Sequence, residues 1–217
     1  MLKNDPSNAP FYRLYGSILL QNGKNEEAIV LYKELLERYP NNEELIEIAH
    51  SGLSVAYVNM GDFAKGEAEL EILFERNPDD AGVNNDLGYL YADQGKKLEQ
   101  AESMIRKALQ EKPDESAYLD SLGWVLYKQG KVKEAVEPLE KAIKGLSNGG
   151  DATILEHLGD VYFRLHENAK AKSAWERAEK SAAKAIPTDK RLPEIRKKLE
   201  SLNKLTPALS PATGDTP

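Results

Sequence analysis

The chain has 217 residues, a net charge of −7, 41% hydrophobic and 30% charged side chains, and no cysteine. That apolar content is too high for disorder over most of the length, and the acidic balance argues against general nucleic-acid binding. Disulfides, thiolate metal sites, iron–sulfur clusters and thiol catalysis are excluded, and no apolar run reaches the roughly 18 residues of a membrane-spanning helix.

Taken in chain order, the sequence repeats. Met1-Leu2-Lys3-Asn4-Asp5-Pro6 has no apolar leader segment. It parallels the closing turns Leu36-Glu37-Arg38-Tyr39-Pro40 and Leu109-Gln110-Glu111-Lys112-Pro113, so residues 1–8 are expected to end a preceding unit, through a longer parent protein or a misplaced start codon, the alternative being a short N-terminal arm. Residues 9–42 carry Tyr12, Gly16, Leu19, Gly23, Ala28, Tyr32 and Pro40. Residues 43–78 carry Leu53, Tyr57, Gly61, Leu70, Leu73 and Pro78, with Ser54 and Gly66 at the small-residue sites. Residues 79–113 carry Leu87, Gly88, Tyr91, Gly95, Ala101, Ala108 and Pro113. Residues 114–147 carry Leu119, Leu122, Gly123, Gly130, Ala135, Leu139 and Ala142. Residues 148–183 carry Leu155, Leu158, Gly159, Tyr162, Ala171, Trp175 and Ala178, with His166 where the other units have a turn glycine.

Pro6, Pro40, Pro78 and Pro113 are spaced by 34, 38 and 35 residues. The 38 reflects extra residues around Asn41-Asn42-Glu43-Glu44, expected to lengthen the helix that follows, and the 35 reflects one extra lysine in Gly95-Lys96-Lys97. Residues 190–205 open with Leu192-Pro193-Glu194, a proline at a helix start. Leu192, Ile195, Leu199, Leu202 and Leu205 then recur at helical spacing, which suits a helix capping the array. Residues 206–217, with their Pro, Gly, Ala, Ser and Thr, are expected to be a disordered tail.

The pattern Leu-Gly-x2-Tyr, then Ala, an aromatic and Pro, resembles the tetratricopeptide repeat, a pair of antiparallel helices about 34 residues long. The resemblance spans residues 9–183 and implies an all-α, right-handed superhelical solenoid of about five helix pairs plus the capping helix. Small residues let paired helices approach closely, glycine caps the first helix in the left-handed region, and proline stops the second. The stretches Tyr118–Val125 and Glu156–Val161 are also similar to bacterial members of the family, several of them associated with the cell envelope. The compartment stays open: cytoplasmic by default, or the bacterial envelope if the N-terminus is truncated.

The resemblance further implies which residues line the concave groove. The third unit supplies Asn85, Tyr89 and Asp93, the fourth Asp120, Trp124, Tyr127 and Lys128, and the fifth Glu156, Asp160, Phe163 and Arg164. Aromatics beside carboxylates suit a protein or peptide partner with apolar and basic side chains. Trp124 is expected to be the principal anchor, with packing against neighbouring helices as its other role. The lysine–asparagine clamp of chaperone-binding members is not completed at Arg13, Ser17, Gly82 and Asp86, nor at Asn85, Tyr89, Ala117 and Ser121.

No phosphate-binding loop, dinucleotide fingerprint or nucleophile elbow is present. Of the three histidines, His50 falls at a packing site and His166 in a turn. Asp120, Glu156 and Asp160 could in principle attract a hard cation, but His157 is expected to turn away from that face. They are therefore expected to line the groove as an acidic patch, with no catalytic residue, metal or cofactor. Charge is uneven as well, with −12 over residues 1–169 against +6 over 170–204. The basic end is either solvated helix surface or an anion-binding or self-association end. The expected function is a non-catalytic interaction scaffold; the alternative is an assembly module self-associating through its terminal helices.

Overall fold

The computed structural model describes residues 8–146, 150–185 and 188–205. The residues 1–7 assigned to a preceding unit and the tail 206–217 lie outside the described residues. Among the described residues there are eleven α-helices and no strand. The first ten form five antiparallel pairs: α1 (Ala9–Gln21) with α2 (Asn25–Arg38), α3 (Glu43–Asn59) with α4 (Phe63–Arg76), and α5 (Ala81–Asp93) with α6 (Leu98–Glu111). Then follow α7 (Ser116–Lys128) with α8 (Val136–Lys144), α9 (Ala152–Arg164) with α10 (Asn168–Lys184), and finally α11 (Leu192–Leu205).

Local chemistry sets the helix ends. Asn8, Asn42, Asp62, Asp80 and Asp151 cap α1, α3, α4, α5 and α9, each side chain accepting a first-turn backbone N–H that would otherwise lack a partner. The extra residues before Leu45 lengthen α3 to 17 residues, against 13 for α1, α5, α7 and α9. The extra lysine, Lys97, adopts φ 49° at the start of α6. Helix α8 is short, at 9 residues. Pro138 lies in its first turn, where its missing N–H costs nothing.

Packing follows the small-residue sites. A Cβ at Gly123 would come within 2.4 Å of Leu139, and one at Gly159 within 2.3 Å of the Trp175 ring. Only glycine allows α7 to meet α8, and α9 to meet α10, so closely. The core is a stacked series: Tyr12, Tyr32, Leu45 and Leu53 at the N-terminal end, then Leu87, Ile105, Leu139 and Leu155 further along. Each such side chain contributes roughly 1.5–3 kcal/mol on leaving water.

The capping helix α11 extends this core against α10, burying Leu192, Ile195, Leu199 and Leu202. The stripe is one residue shorter than the sequence suggests. Leu205, the last helical residue, is 65% exposed.

Candidate concave binding site

Helices α3, α5, α7 and α9 line an open groove holding about 540 Å³. Val55 and Val58 form its apolar wall on α3, and Ile154 its far edge on α9. Every charged side chain lining it is a carboxylate: Asp86, Asp93, Glu115, Asp120 and Asp151. The local sequence fixes the approach of α5, because the Asn84 amide donates to the carbonyls of Pro78 and Asp80.

Several of these carboxylates already have partners. Asp120 accepts from His157 Nδ1 at 2.9 Å, and both side chains are buried. The His157 ring stacks on Trp124, with centroids 4.0 Å apart and planes 13° apart, and Trp124 stacks in turn on Tyr127 at 5.2 Å. Trp124 Nε1 donates to Asp93 Oδ1, and Lys128 Nζ donates to the Asp93 backbone carbonyl while lying over the Trp124 ring. Asp151 is engaged as the cap of α9. Burial, with Asp93 and Asp120 nearby, pushes the Tyr89 phenol well above its usual range, so it stays protonated. Helices α5, α7 and α9 are thus tied by one polar and aromatic chain.

Beyond Trp124, the carboxylates Glu156 and Asp160 are covered by the protein's own basic end. Lys198 of α11 donates to Glu156 Oε1 at 2.7 Å and to both oxygens of Asp160, at 2.8 and 2.7 Å. Asp160 also accepts from Trp175 Nε1 at 3.0 Å. Burial lifts the Asp160 carboxyl above its ordinary range even against Lys198. Lys198 is itself raised, because the two carboxylates outweigh its own burial. Just before α11, Lys190 Nζ donates to Asn59 Oδ1 on α3, 2.9 Å away.

Comparison with known proteins reveals the repeat directly. Family models described as tetratricopeptide repeat match residues 19–84 and 87–152. The chain belongs to the tetratricopeptide repeat family. Its fold is similar to that of a thermophilic tetratricopeptide protein from Thermus thermophilus, with TM-score 0.69 at 20% identity over 89% of this chain and 98% of that one. It is also similar to Pseudomonas aeruginosa PilF, with TM-score 0.61 at 22% identity over 92% of each chain. The MamA fragment (41-end) from Desulfovibrio magneticus RS-1 gives TM-score 0.55 at 17% identity over 93% of this chain and 98% of that one. No curated protein matches the sequence. Members of this family are in general non-catalytic interaction scaffolds, and protein partners follow from the fold. Among the described residues, no helix is long and apolar enough to cross a membrane.

The residues singled out in the sequence occupy three environments of the tetratricopeptide array. Asn85, Asp120 and Glu156, at one repeat position, are 5, 6 and 7% exposed and lie in the floor of the concave face. Tyr89, Trp124, Tyr127, Lys128 and Asp160 are half-buried, and Asp93, Phe163 and Arg164 are exposed. Trp124 packs against its neighbours rather than standing free. His157 turns away from Glu156, as the sequence suggests, but meets Asp120, the third carboxylate of that patch. Successive helical residues are about 100° apart, so while Glu156 reaches Lys198 on α11, His157 faces back onto Asp120 of α7. His50 is half-buried against Glu69, and His166 is exposed in its turn. The covering of Glu156 and Asp160 by Lys198 and the placement of Asp86 in the groove escaped the sequence reading. The opposed charges of the two parts of the chain were the only signal.

Proposed function

We propose that the groove between α3, α5, α7 and α9 holds an extended segment of a protein partner carrying apolar and basic side chains. The observation that carries this reading is the lining itself: an apolar wall of Val55, Val58 and Ile154 facing carboxylates with no lysine, arginine or histidine among them. Such a surface rewards a segment that alternates the two chemistries and repels acidic ones. The chain's own Lys198, laid on Glu156 and Asp160, is an intramolecular instance of the same pairing.

The test is a peptide array probed with the 217-residue chain and with Val55→Arg. Val55 is 47% exposed, so the change leaves the core intact while filling the groove with a bulky cation. Peptides bound by the parent protein and lost in the variant support the reading. Binding that ignores Val55→Arg sinks it.

A second reading is association of α1 with α1 of another copy. It is favoured by Leu14, Tyr15 and Ile18, which are 63, 38 and 45% exposed on that helix. Light scattering decides it: a concentration-dependent dimer that Ile18→Glu dissolves supports it, and a monomer near 24.2 kDa at all concentrations rejects it.

A further inference from the structure

Within the groove one carboxylate differs from the rest. Asp120 has His157, Asp93 has the Trp124 indole, and Asp151 has the α9 amides. Asp86, on α5, forms no ion pair among the described residues. Its hydrogen bond comes from the neighbouring Asn85 amide, Nδ2 to Oδ1 at 3.1 Å. The side chain is exposed to solvent and borders the groove. A carboxylate holding one amide hydrogen bond has acceptor capacity to spare.

Asn85 adds an independent observation. The residue is 5% exposed, it borders the same groove, and its Oδ1 is buried without a hydrogen-bond partner. Turning the amide over does not help. It would set Oδ1 against the Asp86 carboxylate and forfeit the one hydrogen bond the amide makes. A buried acceptor left in this state costs free energy that a donor in the groove would recover once the Asn85 side chain turns to meet it.

Two neighbouring acceptors, one charged and one neutral, define what fits. Nowhere among the described residues do three or more histidine or carboxylate groups converge as metal ligands. An ammonium or guanidinium group needs fewer partners: one anion to balance its charge and one further acceptor for its remaining N–H. The apolar wall at Val58 and Leu90 suits the methylene stem of a long basic side chain.

We propose that Asp86 and Asn85 form a subsite for one lysine or arginine side chain of the partner segment, the Asp86 carboxylate taking the charge and Asn85 Oδ1 accepting an N–H. This rests on the groove reading above and specifies the partner at one position.

The experiment is an amide-detected NMR titration of the 217-residue chain with n-butylguanidinium and n-butylammonium chloride, with n-butanol as the uncharged control. The expected result is saturable movement of the Asn85 side-chain amide and the Asp86 backbone amide with the two cations and not with the alcohol. In Asp86→Asn, of the same shape and without the charge, the affinity should fall about tenfold. Equal response to the alcohol, or no response at Asn85, overturns the subsite in the parent protein without reliance on any variant. The groove and the subsite fail separately. Array peptides lost in Val55→Arg but indifferent to replacing each lysine or arginine by norleucine leave the groove standing and remove the subsite. Cation binding at Asn85 with no Val55-dependent peptide does the reverse.

Discussion

Lys198→Met removes the cation that two carboxylates share while keeping an unbranched apolar stem. In the parent protein the Lys198, Glu156 and Asp160 side chains are 22, 9 and 15% exposed. Removing one partner of a buried ion pair costs about 3–5 kcal/mol. Two features lower that figure here: Lys198 keeps some access to water, and Asp160 retains the Trp175 indole as a donor. The expected loss is therefore about 2–3 kcal/mol, concentrated at the C-terminal end, because a repeat array is held by nearest-neighbour interfaces. Urea unfolding followed by tryptophan fluorescence reads that end, since Trp175 touches the network and Trp124 lies on the adjacent helix α7. With a slope of about 2 kcal/mol per molar urea the midpoint should fall by about 1 M. The deficit should narrow as pH drops from 7 towards 4. Without Lys198 the folded carboxyl of Asp160 lies above its unfolded value, so its proton stabilises the fold at low pH and that stabilisation is lost as pH rises. Glu156→Gln added to Lys198→Met should restore part of the loss. A midpoint change below about 0.3 M at pH 7 would refute the argument, because it would mean that water already solvates these carboxylates.

Two further outcomes follow from local geometry. His166 sits at φ 63° in the turn after α9, where Gly23, Gly61, Gly95 and Gly130 hold φ of 71, 82, 68 and 80° in the other turns. A non-glycine residue there costs about 1–2 kcal/mol and glycine returns about half of that in chain entropy, so His166→Gly should raise the thermal midpoint by about 2 °C. Glu102 joins α6 to the turn before α8 through Arg106 and Lys131. Burial would raise its carboxyl, but hydrogen bonds from Lys131, Arg106 and Gln129 prevail and take it from 4.5 down to about 2. Its contribution is complete above pH 4.5 and is lost as pH falls towards 2. Because both cations are roughly half exposed, solvent screening limits it to about 1 kcal/mol. Acid unfolding of Glu102→Gln should lack that increment across this window, and an unchanged acid limb would contradict the pairing.

The repeat signature was legible because its positions answer to backbone and short-range packing demands. Gly123 and Gly159 face Leu139 and Trp175 at distances no Cβ tolerates, so the glycine appears in the sequence wherever that contact recurs. The extra residues before Leu45 and the extra Lys97 were equally visible as breaks in spacing, and they emerged as a longer α3 and a left-handed residue. The candidate site was harder to read. Repeat position alone grouped Asn85, Asp120 and Glu156, yet the structure gives them three partners: the adjacent Asp86, a histidine on the following first helix, and a lysine on α11.

Sequence by itself determined the helix periodicity, the caps, the turns and the stacking order, since each depends on residues close together in the chain or one repeat apart. It also recorded the charge contrast between residues 1–169 and 170–204. Only the tertiary structure decided how that contrast is used. Lys198 meets Glu156 and Asp160 across 42 and 38 positions, and Lys190 meets Asn59 across 131. Whether Lys190 reaches Asn59 on α3 depends on the curvature accumulated over the intervening helix pairs. Curvature adds small rotations from every helix interface, and no local pattern encodes their sum.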